Sequence, residues 1–436
     1  MCKKIKMDYT QAFQFHESTK SYGSILGLDS IRELMHELDD VWEKLEIVHV
    51  AGTNGKGSVC CFLASVLKEA GYQVGQYTSP AVFGVRDMYR LNGECILEEE
   101  YAFIMQEVAD ACGRMAEQGL RHPTVFEVET ALAFLWFYRK KCDIILLETG
   151  MGGSMDATNL IQQPLCSIIT SVSMDHMAFL GDSLTEIAEA KAGIIKEGCP
   201  VVSAVQCPQA KQVIEQKARE RHAPYYTTKQ IKQVSMERGK LCCLHPEFGI
   251  LKLSMTGSYQ AKNVSLAIEA LAVLQGLGYS MQKEQICRGL EKAVWPGRFE
   301  CICKHPLFYI DGAHNPAAAK QLKESLDLHF PHLRRIGIMG VMADKPYGEM
   351  LDILLPAFER IYTITPDNPR SLPAAVLAEE IQKRGGISFA EESIALACQK
   401  ALKEGNDTVI LAFGSLFFLN EVKQEVTGKK KGGDLL

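Results

Sequence analysis

The sequence lacks any apolar run long enough to cross a membrane. Its longest run, Ala131 to Tyr138, is followed at once by Arg139, Lys140 and Lys141, and a spanning helix needs roughly 20 apolar residues. The first residues also lack the apolar core of a secretion signal. We therefore expect a cytoplasmic protein that has no membrane partner.

The sequence also has little of what marks zinc-binding, secreted or nucleic-acid-binding proteins. Its fifteen cysteines include no CxxC pair, which excludes the usual zinc spacing and a small disulfide framework and indicates reduced thiols. The net charge of −6 gives no electrostatic reason to expect nucleic acid as a partner. The 436 residues, 47% of them hydrophobic, instead indicate an ordinary globular chain of two or three domains.

The most informative stretch that is present runs from Glu46 to Gly71. It predicts a strand, a glycine-rich turn and a helix that begins at Ser58. Backbone N–H groups of such a turn and the positive end of the helix dipole form a cradle for anions. The residues of the predicted cradle are Gly52, Thr53, Asn54, Gly55, Lys56, Gly57 and Ser58.

Two side chains of this loop have predicted roles. Lys56 would bring its ammonium group to the outer phosphates of a nucleotide, and Ser58 would bring its hydroxyl near a magnesium ion. Gly57 lies between Lys56 and Ser58. In the usual phosphate-loop pattern, the lysine is followed directly by serine or threonine. The alternative is an ordinary strand-to-helix turn with a surface lysine.

Strands and helices alternate along the chain, which predicts an α/β protein of two domains. We expect a P-loop-type domain with a mostly parallel, doubly wound sheet over residues 1–296. A smaller Rossmann-like α/β domain is expected over residues 297–436, because Trp295-Pro296-Gly297-Arg298 interrupts the pattern. Beyond Gly428 we expect a disordered, lysine-containing tail.

Three polar residues follow different strands of the predicted first sheet. Ser79 follows one strand, Glu148 ends another, and His176 follows a third. The carboxyl ends of parallel strands meet at one edge of a sheet, where the phosphate loop also lies. A hydroxyl, a carboxylate and an imidazole there could complete the coordination of magnesium. The alternative for His176 is an ordinary loop or core histidine, because magnesium prefers oxygen ligands.

Lys191 lies on the apolar face of a helix predicted from Leu184 to Ile195. It follows Ile187 by four residues and precedes Ile195 by four, so it shares their face. One interpretation is a lysine whose stem packs while its ammonium group reaches water. The other is a buried lysine with a lowered pKa, whose neutral amine adds carbon dioxide and becomes an anionic carbamate.

Two further candidates lie near the predicted domain boundary. Arg298 is placed to reach a bound nucleotide, and the alternative is an ordinary linker arginine. Asp311 ends a predicted strand and could accept hydrogen bonds from a ribose. The alternative is that the stretch from Asp311 to Pro316 is the N-cap region of the helix that follows.

The motifs together resemble those of the folylpolyglutamate synthase/dihydrofolate synthase family of the Mur ligase superfamily. The resemblance runs from Tyr22 to Gly414-Ser415-Leu416 and so covers nearly the whole chain. Its motifs are GTNGKGS at 52–58, TSP at 78–80, TVFE at 124–127, ETGMGGSMDATN at 148–159, SVSMDHMAFLG at 171–181, AKAGIIK at 190–196, GSYQAKN at 257–263, WPGRFE at 295–300 and DGAHNP at 311–316.

The resemblance implies an ATP-binding first domain, a glutamate-ligase second domain and a role for each candidate residue. ATP and magnesium are the implied cofactors, with two magnesium sites, and a monovalent cation such as K⁺ is compatible with the family. The implied catalytic residues are Lys56, Glu148, His176 and Lys191, and the implied metal ligands are Ser58, Ser79, Glu148, His176 and carbamylated Lys191. Besides the loop, the implied nucleotide contacts are Asn263, Arg298, Asp311 and His314. The residues implied to lie near the pterin substrate are Thr124, Phe126, Glu127, Met155, Asp156 and Ala157.

The sequence departs from the family's usual pattern at a few positions. Ala81 stands where the family usually has histidine, Ser154 where it often has arginine, and Tyr259 where it often has histidine. Asp87-Met88 replaces a Glu-Arg pair. We expect these departures to lie on the folate side of the site and to leave the ATP side unchanged.

The implied reaction is ATP-dependent amide formation between a folate, or dihydropteroate, and L-glutamate, carried out by a monomer. The folate carboxylate attacks the γ-phosphate to give an acyl phosphate, which the amine of glutamate then attacks. One alternative is a peptidoglycan-precursor ligase of the same superfamily, which is expected to carry an extra domain before the phosphate-loop strand. The other is a regulatory nucleotide-binding protein, which would not need metal ligands on several strands.

Overall fold

A computed structural model describes residues 6–23, 25–229, 231–405 and 407–428. These residues form two compact units. The first contains residues 6–229 and Lys262–Lys292, and the second contains Ile231–Ala261 and residues 293–428. The units divide close to the predicted boundary at residue 296, but residues 231–261 group with the second unit instead of the first.

The helices and strands alternate over most of the chain. In chain order, the α-helices are α1 Tyr9–Thr19, α2 Asp29–His36, α3 Lys56–Glu69, α4 Glu98–Glu117, α5 Val125–Lys140, α6 Met177–Leu180, α7 Leu184–Ala192, α8 Pro208–Glu220, α9 Gln260–Gly276, α10 Lys283–Lys292, α11 Pro316–His329, α12 Tyr347–Leu354, α13 Ala374–Lys383, α14 Ile394–Leu402 and α15 Leu419–Thr427. The strands are β1 Ile47–Ala51, β2 Val74–Tyr77, β3 Tyr89–Leu91, β4 Glu94–Cys95, β5 Ile144–Glu148, β6 Cys166–Ile169, β7 Val201–Ser203, β8 Tyr225–Thr227, β9 Lys232–Glu237, β10 Lys240–His245, β11 Gly249–Leu253, β12 Glu300–Lys304, β13 Leu307–Ile310, β14 Arg334–Met339, β15 Arg360–Thr363, β16 Ser388–Ala390 and β17 Thr408–Phe413. Short 3-10 helices cover Lys20–Tyr22, Val41–Lys44, Val85–Met88, Ala157–Leu160 and Leu355–Ala357.

The first unit is built on an eight-stranded sheet in the order β4-β3-β2-β5-β1-β6-β7-β8. The strands from β2 to β8 in this order pair in parallel, and β3 and β4 are antiparallel additions at one edge. Every residue of the central strands β1 and β5 is buried, as expected when both faces of a parallel sheet are covered. The prediction of a mostly parallel sheet is therefore confirmed.

The strand order sets the position of the candidate site. β2, β5, β1 and β6 are consecutive neighbours in the sheet. Tyr77 pairs with Leu147, and Val50 pairs with Glu148. The segments that leave these four strands therefore start at the same edge of the sheet, where parallel α/β proteins bind ligands.

The second unit contains two sheets. A six-stranded sheet has the order β12-β13-β17-β14-β15-β16, and all its neighbours pair in parallel except β12 with β13. The other sheet has three antiparallel strands in the order β11-β10-β9. The prediction that a second open α/β sheet follows the first is confirmed.

Several expectations at the level of single elements need correction. The helix after the phosphate loop begins at Lys56, two residues before the predicted start, because Gly55 ends the turn. The helix that carries Lys191 ends at Ala192, where Gly193 follows as its C-cap, and not at Ile195. The predicted disordered tail from residue 429 lies outside the described residues.

Two chemical properties of the described residues bear on the sequence expectations. The fourteen cysteines among them are free thiols, and seven of these are buried. Within the same residues, no helix is both long and apolar enough to cross a membrane.

Candidate active site

The loop between β1 and α3 packs tightly against its neighbours at two glycines. Gly52 has φ +146°, and a Cβ there would lie 1.8 Å from Oγ1 of Thr170. Gly55 has φ +96°, and a Cβ there would lie 2.5 Å from Oδ1 of Asn263. Only glycine fits both positions. The close approach at Gly55 also brings Asn263, a predicted nucleotide contact on α9, against the loop.

Lys56 begins α3 and turns back over the loop. Its Nζ donates to the carbonyl oxygens of Gly52, at 3.2 Å, and Thr53, at 3.4 Å. The same Nζ lies 3.8 Å from Oε1 of Glu148. Because Ser58 also lies in the first turn of α3, the helix N-terminus, a cation and a hydroxyl meet at the end of β1, as an anion site requires.

The segment that follows β6 holds the loop in place. The N–H of Thr53 donates to the carbonyl of Ser171 at 2.7 Å, and its hydroxyl donates to the carbonyl of Ser173 at 3.0 Å. Oγ of Ser171 donates to the carbonyl of Asn54 at 3.1 Å. The chain that leads to Asp175 and His176 therefore also fixes the shape of the phosphate loop.

Ser79 and Glu148 lie at the same sheet edge as the loop. Glu148 is the last residue of β5 and is only 5% exposed. Oγ of Ser79 is buried and makes no hydrogen bond to any described residue. A buried hydroxyl without a partner needs a water or an ion. Carboxylate and hydroxyl oxygens suit magnesium, so this donor set fits the ion that the sequence predicts.

His176, the third predicted metal ligand, lies in a more exposed environment than Glu148. It is exposed, has φ +52° and precedes α6, and its own N–H donates to Oδ1 of the buried Asp175 at 2.9 Å. Over the described ranges, no three His, Cys, Asp or Glu side chains gather as a metal site. A metal at this edge would therefore depend on hydroxyls and water as well.

Lys191 is buried, with 3% of its surface exposed. The interpretation that its ammonium group reaches water is therefore wrong. Its Nζ instead donates to the carbonyl of Gly52 at 3.0 Å. Its pKa is lowered to about 7, chiefly by burial and also by the charge of Lys56, while the charges of Asp175 and Asp156 oppose the shift. The predicted direction of the pKa shift is confirmed.

Two lysines thus converge on one acceptor. Nζ of Lys56 and Nζ of Lys191 both donate to the carbonyl of Gly52. Two ammonium groups that share an acceptor repel each other, so the site favours either a neutral amine or an added anion.

Asp156 organises the loop that follows β5. Its carboxylate accepts hydrogen bonds from the N–H of Met151 at 2.7 Å and from the hydroxyl of Thr158 at 2.6 Å. Burial raises the pKa of Asp156, and these hydrogen bonds and the charge of Lys56 lower it. Thr158 in turn accepts from Nε2 of His49, at 2.8 Å, inside the sheet.

The other residues predicted near the pterin have mixed environments. Thr124 caps α5, and its N–H and hydroxyl donate to Oε2 of the buried Glu127 at 2.6 and 2.8 Å. Phe126 packs closely on Gly150. A Cβ added to Gly150 would lie 2.5 Å from the Phe126 ring. Met155 is 52% exposed, whereas Ala157 is buried. The capping pair therefore has a structural task that the sequence reasoning did not assign.

In the second unit, Asp311 and Arg298 lie together. The Asp311 carboxylate accepts from the Tyr259 hydroxyl at 2.7 Å and from the N–H groups of Phe299 and Ala313 at 2.8 Å each. Asn315, in the same stretch, caps α11, so the stretch is the N-cap region that the alternative predicted, with Asn315 and not Asp311 as the cap. Nδ1 of His314 donates to the carbonyl of Gly312 at 2.8 Å.

The sequence reasoning missed several residues that shape the site. Asp175 was not among the candidate residues, yet it is buried and its charge raises the pKa of Lys191. Thr170 packs on Gly52, and Ser171 and Ser173 bond to the loop. All four residues follow a buried strand, and Ser171, Ser173 and Asp175 also lie in the motif at 171–181, but neither signal distinguishes ligands from supporting residues.

Two known protein-family models match this chain, each over a different range of residues. A family model described as "Mur ligase middle domain" matches residues 50–271. A second model, described as "Mur ligase, glutamate ligase domain", matches residues 297–416. Between them they cover most of the chain.

Full-length relatives are also found. The dihydrofolate synthase/folylpolyglutamate synthase of Bacillus subtilis is 34% identical over 429 residues, which are 96% of this chain and 99% of the relative. The Mycobacterium tuberculosis folylpolyglutamate synthase complexed with ADP and AMPPCP superposes with a TM-score of 0.88 at 25% identity, covering 98% of this chain and 100% of that one. E. coli FolC in complex with DHPP and ADP gives a TM-score of 0.85 at 26% identity, with coverage of 98% and 100%.

Proposed function

The chain belongs to the folylpolyglutamate synthase/dihydrofolate synthase family of Mur ligases, and from this we propose that it is an ATP-dependent ligase. It joins L-glutamate to a folate or to dihydropteroate through an acyl phosphate. The single observation that carries this proposal is the convergence of Lys56 and Lys191 on the carbonyl of Gly52, beside Glu148.

The nucleotide is the best supported ligand. The phosphate loop and α3 form an anion site, and Lys56 supplies a cation there. The M. tuberculosis relative is complexed with ADP and AMPPCP, and the E. coli relative with DHPP and ADP. We extend nucleotide binding and a pterin-type substrate to this chain on that basis.

The proposed reaction requires little covalent chemistry from the protein itself. The carboxylate of the folate attacks the γ-phosphorus of ATP, the bond to ADP breaks, and an acyl phosphate forms. Lys56 stabilises the charge on the transferring phosphoryl group. The amine of glutamate then attacks the acyl carbon, loses a proton, and inorganic phosphate leaves. Phosphate is a better leaving group than hydroxide, which is why ATP is needed.

Magnesium is the proposed metal, in two sites, with K⁺ as a further monovalent cation. Ser58, Ser79, Glu148, His176 and carbamylated Lys191 would hold the magnesium ions. The unpartnered Oγ of Ser79 and the buried carboxylate of Glu148 support this set. When bound, magnesium neutralises phosphate charge and orients the phosphates.

Lys191 acts in this proposal as a carbamate. Its neutral amine attacks the carbon of carbon dioxide and releases a proton, which leaves an N-carboxylate. A pKa of about 7 makes the neutral amine available near neutral pH. The change also replaces repulsion from Lys56 with attraction, because the new group is anionic.

The remaining predicted residues complete the proposal. Asn263, Arg298, Asp311 and His314 serve the nucleotide, and the second unit presents glutamate. Thr124, Phe126, Glu127, Met155, Asp156 and Ala157 line or support the pterin position. We expect the enzyme to work as a monomer in the cytoplasm, where its free thiols stay reduced.

One assay tests the function. Release of phosphate from ATP is measured with L-glutamate and, in turn, dihydropteroate, a reduced folate or a muramoyl precursor. We expect turnover with at least one pterin substrate and a loss of it in Lys56→Ala. Turnover with the muramoyl precursor alone, or with no acceptor, would overturn the proposal.

A further inference from the structure

The segment that carries Arg298 has an unusual backbone. Gly297 has φ +73° and Phe299 has φ +50°. A residue with a side chain rarely adopts a left-handed conformation unless its surroundings hold it there. Phe299 is fully buried, so both its ring and its amide are fixed by neighbours.

Asp311 is the neighbour that holds the amide. Its Oδ2 accepts the N–H of Phe299 at 2.8 Å and also the hydroxyl of Tyr259 at 2.7 Å. Its Oδ1 accepts the N–H of Ala313 at 2.8 Å. A buried carboxylate needs such donors. Three donors from three parts of the second unit therefore meet on one side chain.

The Arg298 side chain is closely packed beside this cluster. Its Nη1 donates to the carbonyl of Gly297 at 3.3 Å. A Cβ added to Gly312 would lie 2.3 Å from the same nitrogen. Burial raises the pKa of both Asp311 and Tyr259, and the nearby charge of Arg298 partly opposes this shift in each. The position of the Arg298 guanidinium therefore depends on the backbone conformation that the Asp311 cluster fixes.

We propose that Tyr259 is a positioning residue for Arg298, acting through the shared Asp311 oxygen that fixes the Phe299 amide. This inference rests on the proposed function, in which Arg298 contacts the nucleotide. Without the Tyr259 hydroxyl, the buried carboxylate loses one of its three donors and turns toward a new one. The Phe299 amide then loses its fixed partner, and Arg298 loses its defined position.

The position of Tyr259 corrects an expectation from the sequence. Tyr259 stands where the family often has histidine, and we expected that departure to lie on the folate side. Its hydroxyl is instead bonded to Asp311, a predicted nucleotide contact. Histidine also carries an N–H donor, so the two residue types can serve the same carboxylate.

The test compares two tyrosines that donate to carboxylates in the same unit. Tyr259→Phe removes the bond to Asp311. Tyr362→Phe is the matched control, because the Tyr362 hydroxyl donates to Oε1 of Glu404 at the same distance, 2.7 Å. Binding of AMPPCP is measured by calorimetry, and KM for ATP, KM for glutamate and kcat are measured where turnover is found. Thermal unfolding is recorded for every variant.

We expect Tyr259→Phe to weaken AMPPCP binding and raise KM for ATP by about tenfold, the scale of one hydrogen bond to a charged group. KM for glutamate and the affinity of Tyr362→Phe for AMPPCP should not change. In an Arg298→Ala background, Tyr259→Phe should have no further effect on AMPPCP affinity. Tyr259→His should restore affinity to within a few-fold of wild type.

Other results would overturn the inference. These are an unchanged AMPPCP affinity in Tyr259→Phe, an effect that persists in full in Arg298→Ala, or a wild type that binds no AMPPCP. If Tyr259→Phe does not fold, Asp311→Asn replaces it, with the same expected loss and the same dependence on Arg298. A wild type that binds AMPPCP but ligates no glutamate would contradict the proposed function alone, because binding still tests Tyr259.

Discussion

His49 is an imidazole buried in the central strand of the first sheet. Its Nε2 is bonded to the Thr158 hydroxyl at 2.8 Å, and its Nδ1 is buried without a partner among the described residues. Since Thr158 donates its own proton to Asp156, Nε2 of His49 must carry a proton and be the donor. Burial lowers the pKa of His49 to about 3, so an internal hydrogen-bond chain behind the site depends on an uncharged histidine.

A buried neutral histidine makes the free energy of unfolding depend on pH in the acid range. Its folded pKa of about 3 lies below the ordinary value of 6.5, so between these values the unfolded chain binds a proton that the native chain does not. Its contribution is therefore complete above pH 6.5 and decreases as the pH falls toward 3, by up to about 1.4 kcal/mol per pH unit. We expect urea unfolding to show a steeper loss of stability below pH 6.5 in wild type than in His49→Asn. Parallel pH curves for the two proteins would contradict this.

Lys191 gives a second prediction at the residue scale. Lys191→Ala should lower ligase activity at least about a hundredfold, the scale for loss of a charged group that stabilises a transition state. Formate or acetate should restore part of it, because a small carboxylate can occupy the place of the carbamate. Lys196→Ala is the matched control, since Lys196 is also partly buried with a pKa lowered to about 8, and it should stay within a few-fold of wild type. Full activity in Lys191→Ala would exclude the carbamate.

Some features of single residues could be predicted from the sequence, and others could not. The place of Lys191 on the apolar face of its helix followed from helical spacing, and the position of Glu148 followed from a strand end, because both depend on local periodicity. The Tyr259–Asp311 bond joins residues 52 positions apart, and no local pattern encodes such a contact. The orphaned hydroxyl of Ser79 likewise becomes visible only once its neighbours are in place.

At the scale of elements, the start of α5 combines a capping task with a proposed substrate position. Thr124 and Glu127 form a reciprocal capping box, and both are buried. Such a box satisfies backbone donors that the first helical turn leaves free. Its sequence, T-V-F-E, is the signature of a helix N-terminus as well as a family motif, so conserved-looking motifs here can reflect helix geometry.

Replacement of the cap separates these two tasks. Thr124→Ala should lower the free energy of unfolding by about 1–2 kcal/mol, because it removes an N-cap and leaves the Glu127 carboxylate with one donor fewer. Thr124→Ser keeps the hydroxyl and should remain within about 0.5 kcal/mol of wild type. Chemical denaturation measures both. Equal stability of the alanine variant would show that the cap contributes little, and a raised KM for the pterin in Thr124→Ser would point to direct contact with substrate.

Boundaries of elements were harder to predict than their existence. The apolar periodicity of α3 and α7 identified both helices, but the turn residues decided where each one begins or ends. Gly55 ends the phosphate loop and lets α3 begin at Lys56, and Gly193 closes α7 at Ala192. The earlier start matters chemically, since it places Lys56 in the first turn, beside the free N–H groups of the helix.

At the scale of the whole molecule, the order of strands could not be read from the chain. Alternating strands and helices predicted parallel sheets, yet the neighbours of β1 are β5 and β6, not β2. That order is what places Ser79, Glu148 and the loop at one edge. The grouping of residues 231–261 with the second unit was also beyond local patterns, since it depends on which surface the three-stranded sheet packs against.

Nucleotide binding gives a prediction for the whole molecule. A ligand that binds only the native state stabilises it according to its concentration, by about 2.7 kcal/mol at a hundred times its dissociation constant. AMPPCP at that level should therefore raise the thermal unfolding temperature of the wild type by several degrees.

Two lysines of α3 provide the variant and its matched control. Lys56 lies in the first turn, bonded to the loop, whereas Lys68 lies in the last turn and its Nζ donates to the carbonyl of Asn92 at 2.8 Å. Lys56→Ala should lose most of the stabilisation by AMPPCP, and Lys68→Ala should keep it, because only the first turn holds the phosphate site. Equal shifts in both variants would mean that the nucleotide does not bind at this loop, and the role of Lys56 in charge stabilisation would fail with it.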